Sequence, residues 1–303
     1  MAEEISGVLI VNKHEGVTSH DIVGKIRRLY GTRRVGHTGT LDPMATGVLV
    51  VLIGRAAKAA EYLASDSKRY VATLRLGLTT DSEDTTGNIL TTCEKIPDFD
   101  ALQEVLPPFR GKIKQIPPMY SALKVNGKKL VDLAREGKVI ERQPREIEVF
   151  ELKATPTESK TDYRLEVHCS GGTYIRTLCA DIGAALGCGG VMASLRRDEA
   201  CGFSIAQSHT IAELESMTIE ELQALLIPTE SLFAALPALH LPAFYEKLCR
   251  SGCEIYLNKI KVDLTEGARA RLCNEKGEFF ALGEVFSYEK GLAVKAIKTF
   301  CLE

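Results

Sequence analysis

Asp42 is the residue around which chemistry can be built. It lies in Gly36-His37-Thr38-Gly39-Thr40-Leu41-Asp42-Pro43-Met44-Ala45-Thr46-Gly47, whose three glycines allow close approach to a ligand or a positive φ. Pro43 biases Asp42 away from the α region and so sets its direction. The apolar run 48–53 follows directly and reads as a buried strand, a rigid platform for a reactive side chain. A carboxylate held in this way is suited to nucleophilic or acid–base work. On spacing alone, a turn-capping Asp42 and a solvated His37 are the simpler reading. Cys249-x3-Cys253 with Cys273 comes nearest to a metal-ligand spacing, but no fourth Cys or His lies in register, so no metal site is expected.

The surrounding elements have to hold that loop. Gly7–Lys13 is a short apolar segment bounded by glycine and reads as a strand. Thr18 and Ser19 offer an N-cap for a helix with Ile22, Val23, Ile26 and Leu29 on one side, ended by Gly31. Residues 33–47 read as a loop, 56–63 as an Ala-rich helix, and Lys68–Leu76 as an alternating strand. Residues 78–88 form a polar loop, 99–106 a short helix, 115–120 a turn or extended piece, and 127–137 a short basic helix. Strands are expected over 146–154, 163–169 and 191–197, and helices over 174–186 and 210–226. From Leu239 onward, β-type runs alternate with turn signals, which indicates a small all-β module of about 65 residues. The Pro- and Leu-rich stretch 228–242 separates it from the rest, giving one unit over 1–232 and another over 237–303.

Composition narrows the function. Of 303 residues, 45% are hydrophobic and 26% charged, which excludes a disordered or collagen-like chain. No apolar run is long enough to span a bilayer, and the N-terminus lacks the pattern of a secretory signal. Nine cysteines, an odd number without a CxxC pair, fit reduced thiols, so a cytoplasmic location is expected. The net charge of −2 hides an asymmetry: residues 1–150 carry 22 basic against 19 acidic residues. Residues 22–41 hold five basic residues and no acid, and residues 110–145 hold ten against three. Such patches suit a polyanion such as RNA, although a solvated basic helix face accounts for them equally well.

GHTGTLDPMATGVLVV resembles the hallmark motif of the pseudouridine synthases of the TruB type, the bacterial tRNA pseudouridine-55 synthases. The resemblance continues through Ser67-Lys68-Arg69-Tyr70 with Leu76-Gly77, and through Thr80-Asp81-Ser82-Glu83-Asp84 with Gly87. It extends to Pro117-Pro118-Met119-Tyr120-Ser121-Ala122-Leu123-Lys124 with Gly127, to Gly172-Thr173-Tyr174-Ile175-Arg176-Thr177-Leu178, and to Leu195-Arg196-Arg197. Val131 departs from the pattern, since many relatives carry Tyr there, which puts in doubt a packing or RNA contact at that point.

The resemblance implies an α+β fold: a pseudouridine synthase catalytic domain around a mixed, mostly antiparallel sheet, plus a small C-terminal β-barrel that is PUA-like. It implies isomerisation of the T-loop uridine of tRNA, at position 55, by cleavage of the glycosidic bond, rotation of the base and C–C rejoining. Asp42 is the nucleophile by position, Arg176 its partner, and Tyr70 lies against the uracil ring. Leu195 and Tyr174 line the pocket, and His37 helps hold the RNA open by stacking. Asp84 contacts RNA or orders its loop, while Lys58 and Lys124 are phosphate contacts. No cofactor and no metal are implied. The partner is tRNA, through its T-arm and, from the C-terminal module, its acceptor arm, with no membrane and no guide RNA, and the chain is taken as a monomer. Two alternatives remain open: a guide-dependent relative, and a tRNA-binding folding chaperone.

Overall fold

The computed structural model describes residues 5–63, 67–125 and 127–301, with the side chains of Lys124 and Lys129 outside that description. A ten-stranded sheet carries the larger part of the chain. Its strands are β1 (Gly7–Lys13), β2 (Val35–Thr38), β3 (Thr46–Ile53), β4 (Lys68–Leu76), β5 (Gly111–Gln115), β6 (Arg145–Pro156), β7 (Asp162–Cys169), β8 (Gly190–Ala200) and β9 (His209–Thr210), with Phe203–Ser204 paired to β8. The spatial order is β9-β1-β3-β8-β4-β7-β6-β5, with β2 on β3. Only β1–β9 and β3–β8 run parallel; the other pairs are antiparallel. The sheet is therefore mixed and mostly antiparallel, as expected.

The strand after the Asp42 loop is apolar throughout because it is covered on both faces. Leu49, Val51 and Ile53 of β3 pack with Ile22, Val23 and Ile26 of α1 (Ser19–Leu29). Val48, Val50 and Leu52 pack with Ala56, Ala59, Phe233, Leu282 and Phe300. In contrast β4 buries alternate residues, Tyr70, Ala72, Leu74 and Leu76, and leaves its other face half-exposed. Those residues meet α2 (Ile175–Ala185), through Ile175, Leu178, Cys179 and Ile182.

Thr18 is the cap of α1. Its hydroxyl accepts from the Asp21 amide at 3.1 Å, and the Asp21 carboxylate accepts from the Thr18 amide at 2.8 Å. Ser19 is thereby free to serve elsewhere.

Residues 238–301 build a five-stranded sheet from β10 (Ala238–His240), β11 (Ile255–Tyr256), β12 (Arg269–Cys273), β13 (Phe279–Tyr288) and β14 (Gly291–Thr299), in the order β10-β12-β13-β14-β11. It is not all-β, because the helix Ala243–Arg250 packs Cys249 into its core. Phe233, Phe279 and Phe300 hold their ring centroids 5.5–5.9 Å apart between the two sheets, with Phe279 and Phe300 stacked and Phe233 tilted against both.

Other segments also differ from expectation. β2 lies inside the expected loop; a four-residue strand containing glycine shows no alternation to read. Gly54–Tyr62 is a 3-10 rather than an α-helix. Leu78–Thr80 pairs with Ile89–Thr92 at the edge of the polar loop. Within 127–137 only Leu130–Arg135 is helical, preceded by the Lys124–Val125/Lys128–Lys129 hairpin. The expected 210–226 helix is two, Ile211–Glu215 and Ile219–Ala224, because Thr218 and Glu221 form a second capping box in mid-segment.

Gly47 sits where β3 meets β8. Its φ is +98°, and a Cβ there would lie 2.2 Å from the Arg197 carbonyl oxygen. Gly47→Ala is expected to cost roughly 2–4 kcal/mol through strain and collision with backbone. Urea denaturation should show a lower midpoint at an unchanged slope; a wild-type midpoint would mean that the junction relaxes freely.

Candidate active site

The Asp42 loop is pinned at several backbone points. Lys13, at the end of β1 and wholly buried, donates to the carbonyls of His14 (2.9 Å), Pro43 (3.2 Å) and Ala45 (2.6 Å). The Ser19 hydroxyl donates to the Leu41 carbonyl at 3.1 Å and accepts from the Leu41 amide at 2.9 Å. The Gly16 amide reaches the Pro43 carbonyl at 2.9 Å, and Ala45 N–H closes on the Asp42 carbonyl at 3.0 Å. Arg197, also buried, donates to the carbonyls of Val48 (2.7 Å) and Gly39 (3.0 Å). Two buried cations thus bind carbonyl oxygens rather than carboxylates. Burial pushes the Lys13 ammonium down to about 8, against the opposing pull of the Asp42 charge.

Asp42 meets Arg176 from the first turn of α2. Arg176 Nε lies 2.9 Å from Asp42 Oδ2, and Nη2 donates to Oδ1 at 3.2 Å, a two-point fork. The guanidinium is 5% exposed, whereas the Asp42 side chain remains 33% exposed, so the carboxylate opens to solvent and the cation does not. Arg176 also donates to the carbonyls of Ser82 (3.1 Å) and Tyr120 (2.8 Å). Asp84 Oδ2 stands 3.9 Å from Arg176 Nε. The Asp84 carboxylate is buried and accepts from Ser82 Oγ (2.7 Å), Thr86 N (2.9 Å) and Thr86 Oγ1 (2.6 Å), bonds that order its own loop.

Tyr70 and Leu195 share one apolar cluster with Leu41 and Ala45, which flank Asp42. Burial pushes the Tyr70 phenol up, with the Arg197 charge opposing, so it stays a neutral hydroxyl. Tyr174 caps α2 with its backbone clamped by Gln115: Tyr174 N donates to Oε1 at 2.8 Å and Nε2 donates to Tyr174 O at 3.0 Å. His37 sits on β2, half-buried, and its Nδ1 is enclosed without a hydrogen-bond partner. Burial, with the charges of Arg197 and His20, pushes the His37 imidazole below its usual range, leaving a neutral ring. Asp42, Arg176, Asp84, Tyr70, Leu195 and Tyr174 are therefore brought together, with His37 at the far end of the same loop.

Lys58 is not part of that group. It donates to the Thr299 carbonyl of the C-terminal sheet at 3.3 Å. Lys124 lies in its hairpin, and its side chain is outside the described residues.

The arrangement offers one solvent-facing carboxylate held by a buried fork, beside an apolar wall and a neutral phenol. That suits a single carboxylate nucleophile acting on a planar ring. Among the described residues no cluster of His, Cys, Asp or Glu has the geometry to hold a metal ion. Sequence reasoning gave no clamping role to Lys13, Ser19, Gln115 or Arg197, although Ser19 stood in the expected cap and Arg197 in a quoted motif.

Known proteins bear on the site. Residues 27–175 match the model of the TruB family pseudouridylate synthase N-terminal domain, and residues 176–234 match that of the tRNA pseudouridylate synthase B C-terminal domain. The chain is similar to proteins named tRNA pseudouridine synthase B. That of Francisella philomiragia subsp. philomiragia is 46% identical over 77% of this chain and 78% of its own. That of Haemophilus influenzae strain Rd is 42% identical over 82% and 81%. Among solved structures, a chain of a Cbf5-Nop10-Gar1 complex superposes with a TM-score of 0.74 at 25% identity, over 97% of this chain and 85% of that one. One from an H/ACA RNP bound to a substrate RNA reaches 0.72 at 23% identity, over 98% and 85%, a likeness of fold.

Two substitutions test the geometry. Arg176→Lys replaces a planar fork by a point charge and strands the Ser82 and Tyr120 carbonyls, so a loss of about 2–3 kcal/mol is expected on denaturation. A loss under about 0.5 kcal/mol, the range of an ordinary surface change, would mean that the fork is dispensable to the fold. Lys13 has a folded pKa near 8 against 10.5 unfolded, so the unfolded chain binds more protons between those values and stability from this group rises with pH there. The stability of wild type minus that of Lys13→Met is expected to grow by up to about 1 kcal/mol per pH unit above pH 8. A difference independent of pH would show that Lys13 keeps its proton.

Proposed function

Since this chain belongs to the TruB family of pseudouridylate synthases, we infer that it is an enzyme converting uridine in tRNA to pseudouridine. We further propose that the target is the T-loop uridine at position 55 and that Asp42 is the nucleophile. The observation that carries this reading is the Arg176 fork on Asp42, in a loop whose backbone is tied down at Gly39, Leu41, Pro43 and Ala45.

The reaction is an isomerisation and its atoms balance within the substrate. The N1–C1′ bond breaks, the base turns, and C5 bonds to C1′; C5 loses a proton and N1 ends with one. Asp42 forms a transient ester bond, at ribose C1′ or uracil C6, and leaves again unchanged. The detached base is itself the second nucleophile, so no second carboxylate is needed to deliver water, unlike glycoside hydrolysis. Arg176 grips Asp42 at two points and aims it. Tyr70 and Leu195 bracket the ring, and the neutral His37 helps hold the RNA open by stacking.

The basic segment 110–145 is assigned to T-arm phosphates, and the 237–303 module to the acceptor arm. The enzyme is read as working alone in the cytoplasm, without a guide RNA. Relatives at 46% and 42% identity carry the name tRNA pseudouridine synthase B, against 25% for the chain of the Cbf5 complex, which favours that reading.

Unmodified tRNA transcript incubated with purified protein should acquire pseudouridine at the T-loop, mapped chemically. Asp42→Asn keeps the side-chain shape but forms no ester, so product should vanish while tRNA binding stays within about tenfold. Residual turnover in the Asn variant would remove Asp42 from the nucleophile role. Product at another position would overturn the T-loop assignment.

A further inference from the structure

We propose that Glu83 is a positioning residue for Arg176, holding the first turn of α2 and thereby the angle at which the guanidinium meets Asp42. The inference rests on the roles given above to Asp42 and Arg176 and adds to them a residue that touches neither.

The helix α2 begins without a side-chain cap. Tyr174 makes no capping hydrogen bond through its side chain, and the first turn contains no acidic residue. A helix start of this kind leaves amide donors unpaired and carries partial positive charge. Gln115 answers part of this need by clamping the Tyr174 backbone. Glu83 holds the turn by another route: its Oε2 accepts from the Thr177 hydroxyl at 2.5 Å. Thr177 is the next residue after Arg176, so this bond fixes the same turn.

The backbone of Glu83 is equally constrained. Its φ is +63°, in the left-handed region. Its amide points to the Thr80 carbonyl at 3.4 Å, and its carbonyl accepts from Met192 N on β8 at 3.1 Å. On one side Ser82 gives its carbonyl to Arg176 Nη1, and on the other Asp84 lies 3.9 Å from Nε. Three consecutive residues therefore address the start of α2. Glycine takes a positive φ at lower cost than glutamate. What glutamate adds here is the carboxylate on Thr177.

The charged groups around that carboxylate are Arg176 and Asp181 on α2 and Arg142 in the segment after the Leu130–Arg135 helix. Burial raises the Glu83 pKa, opposed by the Thr177 hydrogen bond and then by Arg176. Glu83 therefore titrates above the ordinary glutamate range.

Full-length Glu83→Gly, Glu83→Gln and Thr177→Val proteins are compared with wild type by single-turnover pseudouridine formation, tRNA binding and thermal melting. Glu83→Gly relieves the backbone, so its melting temperature should stay close to wild type while its single-turnover rate falls about tenfold. Binding should hold within about threefold, and Thr177→Val should lose rate in the same direction. The wild-type rate should decline on the acid side as Glu83 gains its proton, and in Glu83→Gln that decline should set in at lower pH. The proposal fails if Glu83→Gly turns over at the wild-type rate. It also fails if the variants lose rate, affinity and melting temperature together, or if the acid limb of Glu83→Gln lies where that of wild type does. Turnover surviving in Asp42→Asn would instead overturn the nucleophile assignment, a separate result read on a separate protein.

Discussion

A guanidinium buried to 5% exposure sets the terms for everything around it. A cation withdrawn from water is tolerated only when its donors are matched by acceptors at the right angles. Arg176 spends its donors on Asp42 through two atoms and on the carbonyls of Ser82 and Tyr120. Those acceptors come from three separate stretches of chain, and the cation comes from a fourth. The Asp42 loop, the 80–88 loop, the 115–123 segment and α2 are thus interdependent. None can move without stranding a buried charge.

Around that point the other cations are used differently. Lys13 and Arg197 hold carbonyl oxygens and leave the carboxylates alone. Asp42 is in consequence paired by one fork and otherwise open to solvent, stiff in position yet available. The stiffness continues into β3, whose two covered faces leave no slack for the loop to slide. A nucleophile needs this combination of fixed backbone and uncovered oxygen.

Some of this was legible in the residues. The alternation of 68–76 reproduced β4, and the unbroken apolar run 48–53 matched a strand buried on both sides. The pairing of Asp42 with Arg176 came from motif resemblance, since residues 134 apart carry no local sign of contact. Lys13 and Arg197 were hidden for a physical reason: their partners are backbone oxygens, which every residue has, so no partner type marks them. β2 was hidden by its brevity and its glycine. The break at Thr218 was written in a capping box, Thr218 with Glu221, but the apolar pattern on either side suggested one helix. Glu83 was hidden because a left-handed φ is the habit of glycine and asparagine, and sequence patterns do not anticipate it at glutamate.

The seam between the two sheets has a consequence of its own. Phe233 belongs to the connector, while Phe279 and Phe300 belong to the C-terminal sheet, and all three join the cluster beneath Val48, Val50 and Leu52. Arg271 ties the connector further, to Glu230 at 2.6 Å and to the Leu236 carbonyl at 3.0 Å. The C-terminal sheet is therefore a buttress for the strand that carries the reactive loop, not a tethered appendage. A protease nick in the connector would leave two pieces clasped by this aromatic seam, and force applied to the C-terminal sheet would be borne directly by β3.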